Sequence, residues 1–472
     1  MYFDQNTGTI TLRNLYSMIR LFLFVFILCE VDEIFAQDPF YIIEDFGHIQ
    51  AKANCIIEYD NHLYIVGSAF PQSDSIHEQD LHLCKYDLSG GLISNMLFRH
   101  DVPNGVFNFT DDQSVSIWKD QLLISHFIGA NDYDAITVAD SALANIEFLD
   151  TIRYSDGIGI GAVSHVLTDN EKLIFTVGNS ENLNLICSYD LKEGVYSFFD
   201  LSSELDVHSF SSRVMCFADI IFFVSGVQYL NDEEKIIRDT KLIVLNKELQ
   251  VQEEHYLSQG LGCAETRIHA ILNEEQNQLV VTVEDKKNQK TRPVIYAVDL
   301  DNYAPVWQEF HGDSTYKEWF DFPRSLIMTH DRQGYLTVGY KHTDPDLGGP
   351  FIALLTKMDA EGKNIWQKSI SDLHEGTGLM FDDVLATSDG YYVACGSRSD
   401  VTEDDGYDSR VQLFMIKFDE DGNIVDRDAV SSTLEEDANN VQADIRVYPN
   451  PCLLYTSPSP RDATLSRMPS SA

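Results

Sequence analysis

Basic residues are scarce in this chain. Thirty-three Lys and Arg stand against 75 Asp and Glu, which leaves a formal net charge of −42. A surface of that sign repels phosphate backbones and anionic lipid, which argues against nucleic acid as a partner. Divalent cations, basic partners and neutral ligands remain, beside the plainer reading of acidity as solubility in a salty medium. Membrane-length apolar runs are missing too. The run Leu21 to Cys29, LFLFVFILC, is too short to span a bilayer as a helix, so no transmembrane span is expected. No segment sustains a 3.6-residue apolar period, which argues against long helices. The eight cysteines form no CxxC pair and no Cys/His cluster of zinc spacing. Cys55, Cys84, Cys187, Cys216, Cys263 and Cys395 mostly sit in apolar strand patterns, where Cys acts as a small hydrophobe. One disulfide would suit an exported protein, but spacing does not pair them. Catalytic signatures are also absent: there is no GxSxG, no P-loop and no GxGxxG leading into a helix. HEQDLH, His77 to His82, is one residue longer than the HExxH of zinc proteases.

What is present is a repeated hairpin. VQLFMIKFDEDGNIV, Val411 to Val425, reads as a strand buried on both faces, a tight turn and a return strand beginning at Ile424. Asp419 and Asn423 are the turn's hydrogen-bonding side chains, and Gly422 supplies positive φ. Equivalent markers stand at Asp87, Asp140, Asp190, Asn246, Asp299 and Asp359. Seven copies at a period near fifty residues mean a propeller or an array.

Each unit reads as four strands. In the last, strand a is Leu379–Thr387, b is Tyr391–Ser397, c begins at Val411 and d is Asn423–Val430. Several b strands end in Val-Gly or a small residue, which suits crowding at an axis or a bulge. The fold class is therefore all-β: a seven-bladed β-propeller of four-stranded antiparallel blades. The blades start near Ala51, Gly105, Ile160, Asp206, Cys263, Tyr316 and Thr377. A blade buries both faces only between neighbours, and ring closure leaves few edges. Phe40 to Phe46 reads as an outer strand that would close the ring. The last blade also carries its own d strand in this reading, so one strand is surplus.

The flanks read as processing segments. Arg20, the apolar run and a small residue at Ala36 describe a secretory signal peptide over residues 1–37, with Met18 as an alternative start. The propeller occupies 38–433 and an acidic linker 434–443. MDAEGKNIWQKS (Met358–Ser369), TSDGYYVACG (Thr387–Gly396) and IKFDEDGNIV (Ile416–Val425) resemble the secreted propeller repeats of Bacteroidetes. IRVYPNP, with Tyr448, Pro449, Asn450 and Pro451, resembles the opening of a type IX secretion sorting domain, which would begin at 444 and stop short at 451. That resemblance implies the type IX machinery as a partner and an extracellular or outer-surface location. Residues 452–472, from CLLYTSPSPRD, resemble a translated sequencing adapter and are set aside from fold reasoning.

Function is expected on the rim of the long b–c and d–a loops. The loop before blade 6 holds Tyr316, Trp319 and Phe320 beside Asp321, which would suit a carbohydrate platform or, equally, plug a blade seam. Asp400, Glu403, Asp404, Asp405 and Asp408 cluster in a b–c loop. Hard oxygens suit Ca²⁺, although the EF-hand order is missing and charge runs are usually solvated. Ca²⁺ is the one cofactor this sequence suggests. The pairs Asp111/Asp112 and Asp382/Asp383 would serve as acid and base if they faced one cleft; as strand-end caps they need no chemistry. Together these features imply a non-enzymatic binding or adhesion module for an extracellular glycan or protein. A polysaccharide hydrolase or lyase and a ligand-free scaffold are the alternatives.

Overall fold

The computed structural model describes residues 41–44, 46, 49–71, 80–98, 107–108, 114–128, 133–152, 161–178, 185–201, 208–217, 220–230, 236–257, 268–287, 290–311, 321–342, 351–371, 377–400 and 411–424. None of these residues is helical. Strand β1 is Tyr41–Glu44. Blade 1 contains β2 (Ile49–Tyr59), β3 (His62–Pro71), β4 (Asp80–Asp87) and β5 (Leu92–Phe98). In blade 2, β6 (Phe107–Asn108) and β7 (Val115–Trp118) both pair with β8 (Gln121–Ile128), followed by β9 (Tyr133–Asp140) and β10 (Ile146–Ile152). Blade 3 is β11 (Gly161–Leu167), β12 (Lys172–Gly178), β13 (Leu185–Asp190) and β14 (Val195–Asp200). Blade 4 is β15 (His208–Phe217), β16 (Ile220–Leu230), β17 (Ile236–Asn246) and β18 (Val251–Tyr256). Blade 5 is β19 (His269–Asn273), β20 (Gln278–Lys287), β21 (Lys290–Asp299) and β22 (Pro305–Phe310). Blade 6 is β23 (Asp321–Met328), β24 (Gly334–His342), β25 (Phe351–Asp359) and β26 (Asn364–Ile370). Blade 7 adds β27 (Thr377–Ala386), β28 (Tyr392–Asp400) and β29 (Val411–Phe418).

The surplus strand is resolved by the last blade. Its sheet runs β1-β29-β28-β27, with Tyr41 opposite Ile416 and Glu44 opposite Leu413. The N-terminal strand is thus the fourth strand of blade 7. The expected return strand at Asn423–Val430 is corrected: Asn423 and Ile424 are not in a strand, and the remainder lies outside the described residues. The physical reason is competition for one edge. β29 offers a single open row of backbone groups, and β1 occupies it. The described first strands of blades 5 and 6 start at His269 and Asp321, and the expected starts Cys263 and Tyr316 lie outside the described residues.

The core lies between blades. Leu83 and Val66 of blade 1 meet Leu122 and Ile124 of blade 2, and equivalent clusters fill the next five seams. The seventh cluster joins Val393, Cys395 and Met415 of blade 7 to Ala53, Ile65 and Tyr86 of blade 1, so the ring is closed. Ile42 packs on that last seam, and Ile43 on the seam between blades 6 and 7. Ile43→Asp is therefore expected to lower stability by about 3 kcal/mol in urea or thermal melts. Ile365→Asp, at a position 54% exposed on β26, should move it by less than about 0.5 kcal/mol.

All seven repeat markers are turn residues. The side-chain oxygen of each accepts backbone N–H groups two to four residues on, as from Ser89 and Gly91 to Asp87 and from Asn423 to Asp419. Asp140, Asp190, Asn246, Asp299 and Asp359 do the same. Gly362 and Gly422 take positive φ of 76° and 68°. Leu143, Leu249 and Tyr303 fill the comparable place in blades 2, 4 and 5 at φ of 53°, 60° and 54°.

Candidate functional site

The first strands of neighbouring blades touch all the way round the ring and so surround its axis. Five of these strands carry a bulge, at Asn54, Val163–Ser164, Phe210–Ser211, Arg324 and Asp382. The bulge explains the Val-Gly endings. A Cβ on Gly67 would stand 1.8 Å from the carbonyl oxygen of Lys52, and one on Gly396 would stand 2.1 Å from that of Met380. In blades 1 and 7 the carbonyl beside the bulge therefore leaves room only for glycine opposite it.

A buried polar belt runs through the first strands near these bulges. Asp383 accepts hydrogen bonds from Ser325 Oγ of blade 6 at 2.8 Å, from the Ile56 amide of blade 1 at 2.9 Å and from the Val384 amide at 2.8 Å. One side chain joins three blades. His165 of blade 3 lies between Ser116 and Ser125 of blade 2, at 2.7 and 2.6 Å. Arg213 of blade 4 donates to Ile268 O at 2.8 Å and lies 2.5 Å from His269 Nδ1 of blade 5. Guanidinium has no lone pair, so His269 presents its lone pair there and keeps its proton on Nε2. Burial pushes the His165 imidazole down to about 3, because a charged ring would be desolvated.

The bulged residues Asp382 of blade 7 and Arg324 of blade 6 have partners of their own. Lys52 Nζ is 3.7 Å from Asp382 Oδ2, a carboxylate 1% exposed. Arg324 donates to Tyr340 OH at 2.9 Å and stacks 5.0 Å from its ring. Asp382 and Asp383 thus have separate partners, and Asp383 joins strands across two seams rather than serving one cleft. Asp111 and Asp112 lie outside the described residues.

The described ends of the predicted loops lie on one rim. Asp321 opens β23 opposite Lys341, and Asp400 ends β28 opposite Thr377. First-strand starts and second-strand ends share that edge, so Asp321 and Asp400 stand on the same side of neighbouring blades. Tyr316, Trp319, Phe320, Glu403, Asp404, Asp405 and Asp408 lie outside the described residues, as do Tyr448, Pro449, Asn450 and Pro451. The side chains of Asp321 and Asp400 are likewise not described. HEQDLH runs into a strand rather than a helix. His82 is buried in β4, 3.3 Å from Cys84 Sγ, with Phe46 edge-on at 4.7 Å. Burial lowers His82 to about 4 and raises the Cys84 thiol, so this pair is a seam contact and not a reactive dyad. Cys55, Cys84, Cys187, Cys216 and Cys395 are not joined in disulfides; Cys263 lies outside the described residues.

Sequence reading missed the belt. Its trace was a polar residue interrupting the apolar pattern of successive first strands: Arg213, His269, Ser325 and Asp383 at one register of blades 4 to 7, with Ser116 and His165 one or two places nearer the hairpin in blades 2 and 3. A second trace was lysine two places before the turn marker. Lys85 Nζ donates to Ser141 O of blade 2 at 2.8 Å, and Lys417 Nζ to Leu88 O of blade 1 at 2.6 Å. Lys417 is fully buried and also pairs with Asp389 at 2.5 Å.

The fold defines the class: a seven-bladed β-propeller whose N-terminal strand closes the ring. No family model and no curated protein matches the sequence. Solved structures do. The WD40 domain of SCAP from fission yeast is 13% identical, with a TM-score of 0.41 over 80% of this chain and 98% of that one. An oligogalacturonate lyase in complex with manganese is 11% identical, with a TM-score of 0.47 over 80% and 96%. The β-propeller domain of the Trilobed protease from Pyrococcus furiosus is 8% identical, with a TM-score of 0.43 over 78% and 95%. These are likenesses of fold alone.

Proposed function

We propose that this chain is an exported binding module that holds an extracellular glycan or protein on the rim bearing Asp321 and Asp400. One observation supports this over hydrolase or lyase chemistry. The titratable groups of the polar belt, Asp383, His165, Arg213 and His269, spend their hydrogen bonds on neighbouring blades. They build a rigid ring, and a rigid ring presents loops with little ordering cost. In this reading Tyr316, Trp319 and Phe320 supply flat rings and Asp321 accepts hydroxyl hydrogen bonds.

The test is a glycan array and a pull-down with the full chain. Retention of a glycan or protein is the expected result, and Trp319→Ala should weaken it about tenfold or more. Turnover of any polysaccharide by the chain would replace this reading with the enzymatic one. The acidic loop from Asp400 through Glu403, Asp404, Asp405 and Asp408 is assigned to Ca²⁺ in the same proposal. Chelation is then expected to lower the melting temperature, and an unchanged melt retires the metal. Export by signal peptide and type IX sorting rests on the leader-like run and on IRVYPNP. Loss of secretion on deleting Ile445 to Pro451 would support it.

A further inference from the structure

Each outer strand of a propeller leaves one row of backbone groups unpaired within its sheet, an edge on which another chain can pair. The outer strands of this ring are mostly guarded by charge. β10 carries Glu147 and Asp150, β14 Asp200, β18 Glu253 and Glu254, β22 Glu309 and β1 Glu44, while the one charge of β26, Lys368, is buried against the Gly422 carbonyl. Strand β5 is different. LISNMLF contains no charged residue, and the uncharged stretch extends from Leu88 to Phe98. Leu92, Ile93 and Leu97 are 39%, 51% and 38% exposed. A local bulge beside Ile93 does not set β5 apart, since the outer strands of blades 2, 4, 5 and 6 have register shifts as well.

We propose that β5 is a self-association edge, which pairs antiparallel with β5 of a second copy of this chain. Two features favour a copy over another occupant. The first is charge. Each chain carries −42, and contact through β10, β14, β18 or β22 would set acid against acid. Through β5 two copies approach with no like charges in the strands that meet. The second is pattern. A twofold axis that uses the whole strand passes through its middle residue, Asn95. It lays Leu92 and Ile93 of one copy over Phe98 and Leu97 of the other, apolar on apolar, with Asn95 facing Asn95. Pairing satisfies the open backbone row and covers exposed apolar side chains together. A dimer would carry two loop rims, so a ligand with repeated epitopes gains avidity without any new contact.

Light scattering after size exclusion on the full chain at about 50 µM tests the proposal. The dimer fraction should rise between about 0.05 and 0.5 M salt, as screening removes the repulsion of the two acidic bodies. Ile93→Glu should leave monomer at every salt concentration with an unchanged melt, whereas Ile365→Glu, at a comparably exposed site on β26, should leave the dimer intact. N95C should give a covalent dimer on mild oxidation where the parent chain gives none. A monomer at the higher salt overturns the proposal. So does a dimer that Ile93→Glu leaves whole, one that Ile365→Glu disrupts equally, or one in which N95C fails to cross-link.

Discussion

Asp383→Ala is expected to destabilise the ring by about 3–5 kcal/mol. The side chain is 4% exposed and accepts from Ser325 Oγ, the Ile56 amide and the Val384 amide. Truncation leaves those three donors without their acceptor in a closed interior. Each unsatisfied group costs about 1–3 kcal/mol, and part of the sum is recovered by relaxation. The loss falls on both seams of blade 7, next to the place where the two ends of the ring are joined. Cooperativity should fall with stability, seen as a shallower denaturant transition. Ser325→Ala removes one donor and leaves Asp383 two others, so it should cost about 1 kcal/mol. If both variants melted like the parent, the belt would be ornamental.

Acid should weaken the protein well before its carboxylates titrate. His165 and His82 are buried neutral, with folded values near 3 and 4 against an ordinary 6.5. The unfolded chain therefore binds the extra protons first. Stability contributed by the neutral rings is complete above about pH 6.5, declines as pH falls below it, and is exhausted near the folded values. At about pH 4.5 each histidine would have cost about 2.5 kcal/mol relative to neutral pH. His311, also lowered by burial in the seam of blades 5 and 6, adds in the same direction. Two effects oppose this. Protonation relieves self-repulsion in a chain of charge −42, and Glu44, raised by burial, favours the folded state as pH falls. Melting curves between about pH 7 and 4.5 measure the balance, and His165→Gln isolates one term by flattening the slope by up to one proton. A His165→Gln slope identical to the parent's would remove the histidine explanation.

The sequence carried the repeat because the turn chemistry is local. A carboxylate that accepts amides two and four residues ahead needs only its own turn, so Asp87, Asp140, Asp190, Asn246, Asp299, Asp359 and Asp419 could be counted without a structure. Glycine was a poorer guide. Leu143 and Leu249 adopt the left-handed conformation that Gly362 and Gly422 adopt freely, at a cost of about 1–2 kcal/mol. Both are 4% exposed, in the seams of blades 1–2 and 3–4, and burying a leucine contributes about 1.5–3 kcal/mol in return. Nothing in the turn itself announces that exchange, because the compensating contact belongs to the preceding blade.

The same distinction governs the polar belt and the closing strand. Apolar residues on both faces of one strand were enough to show that it is buried between layers, and spacing alone was enough to count seven. Which strand completes the last blade depended on two segments competing for the edge of β29. Ile56 and Asp383 are separated by 327 residues in sequence and by one hydrogen bond in space. A side chain's partner across a seam is chosen by how the ring closes, and ring closure is a property of all seven sheets together. Local hydrogen bonding therefore wrote the repeat into the chain, while the identity of its clasp and the work of its buried charges arose only when the two ends met.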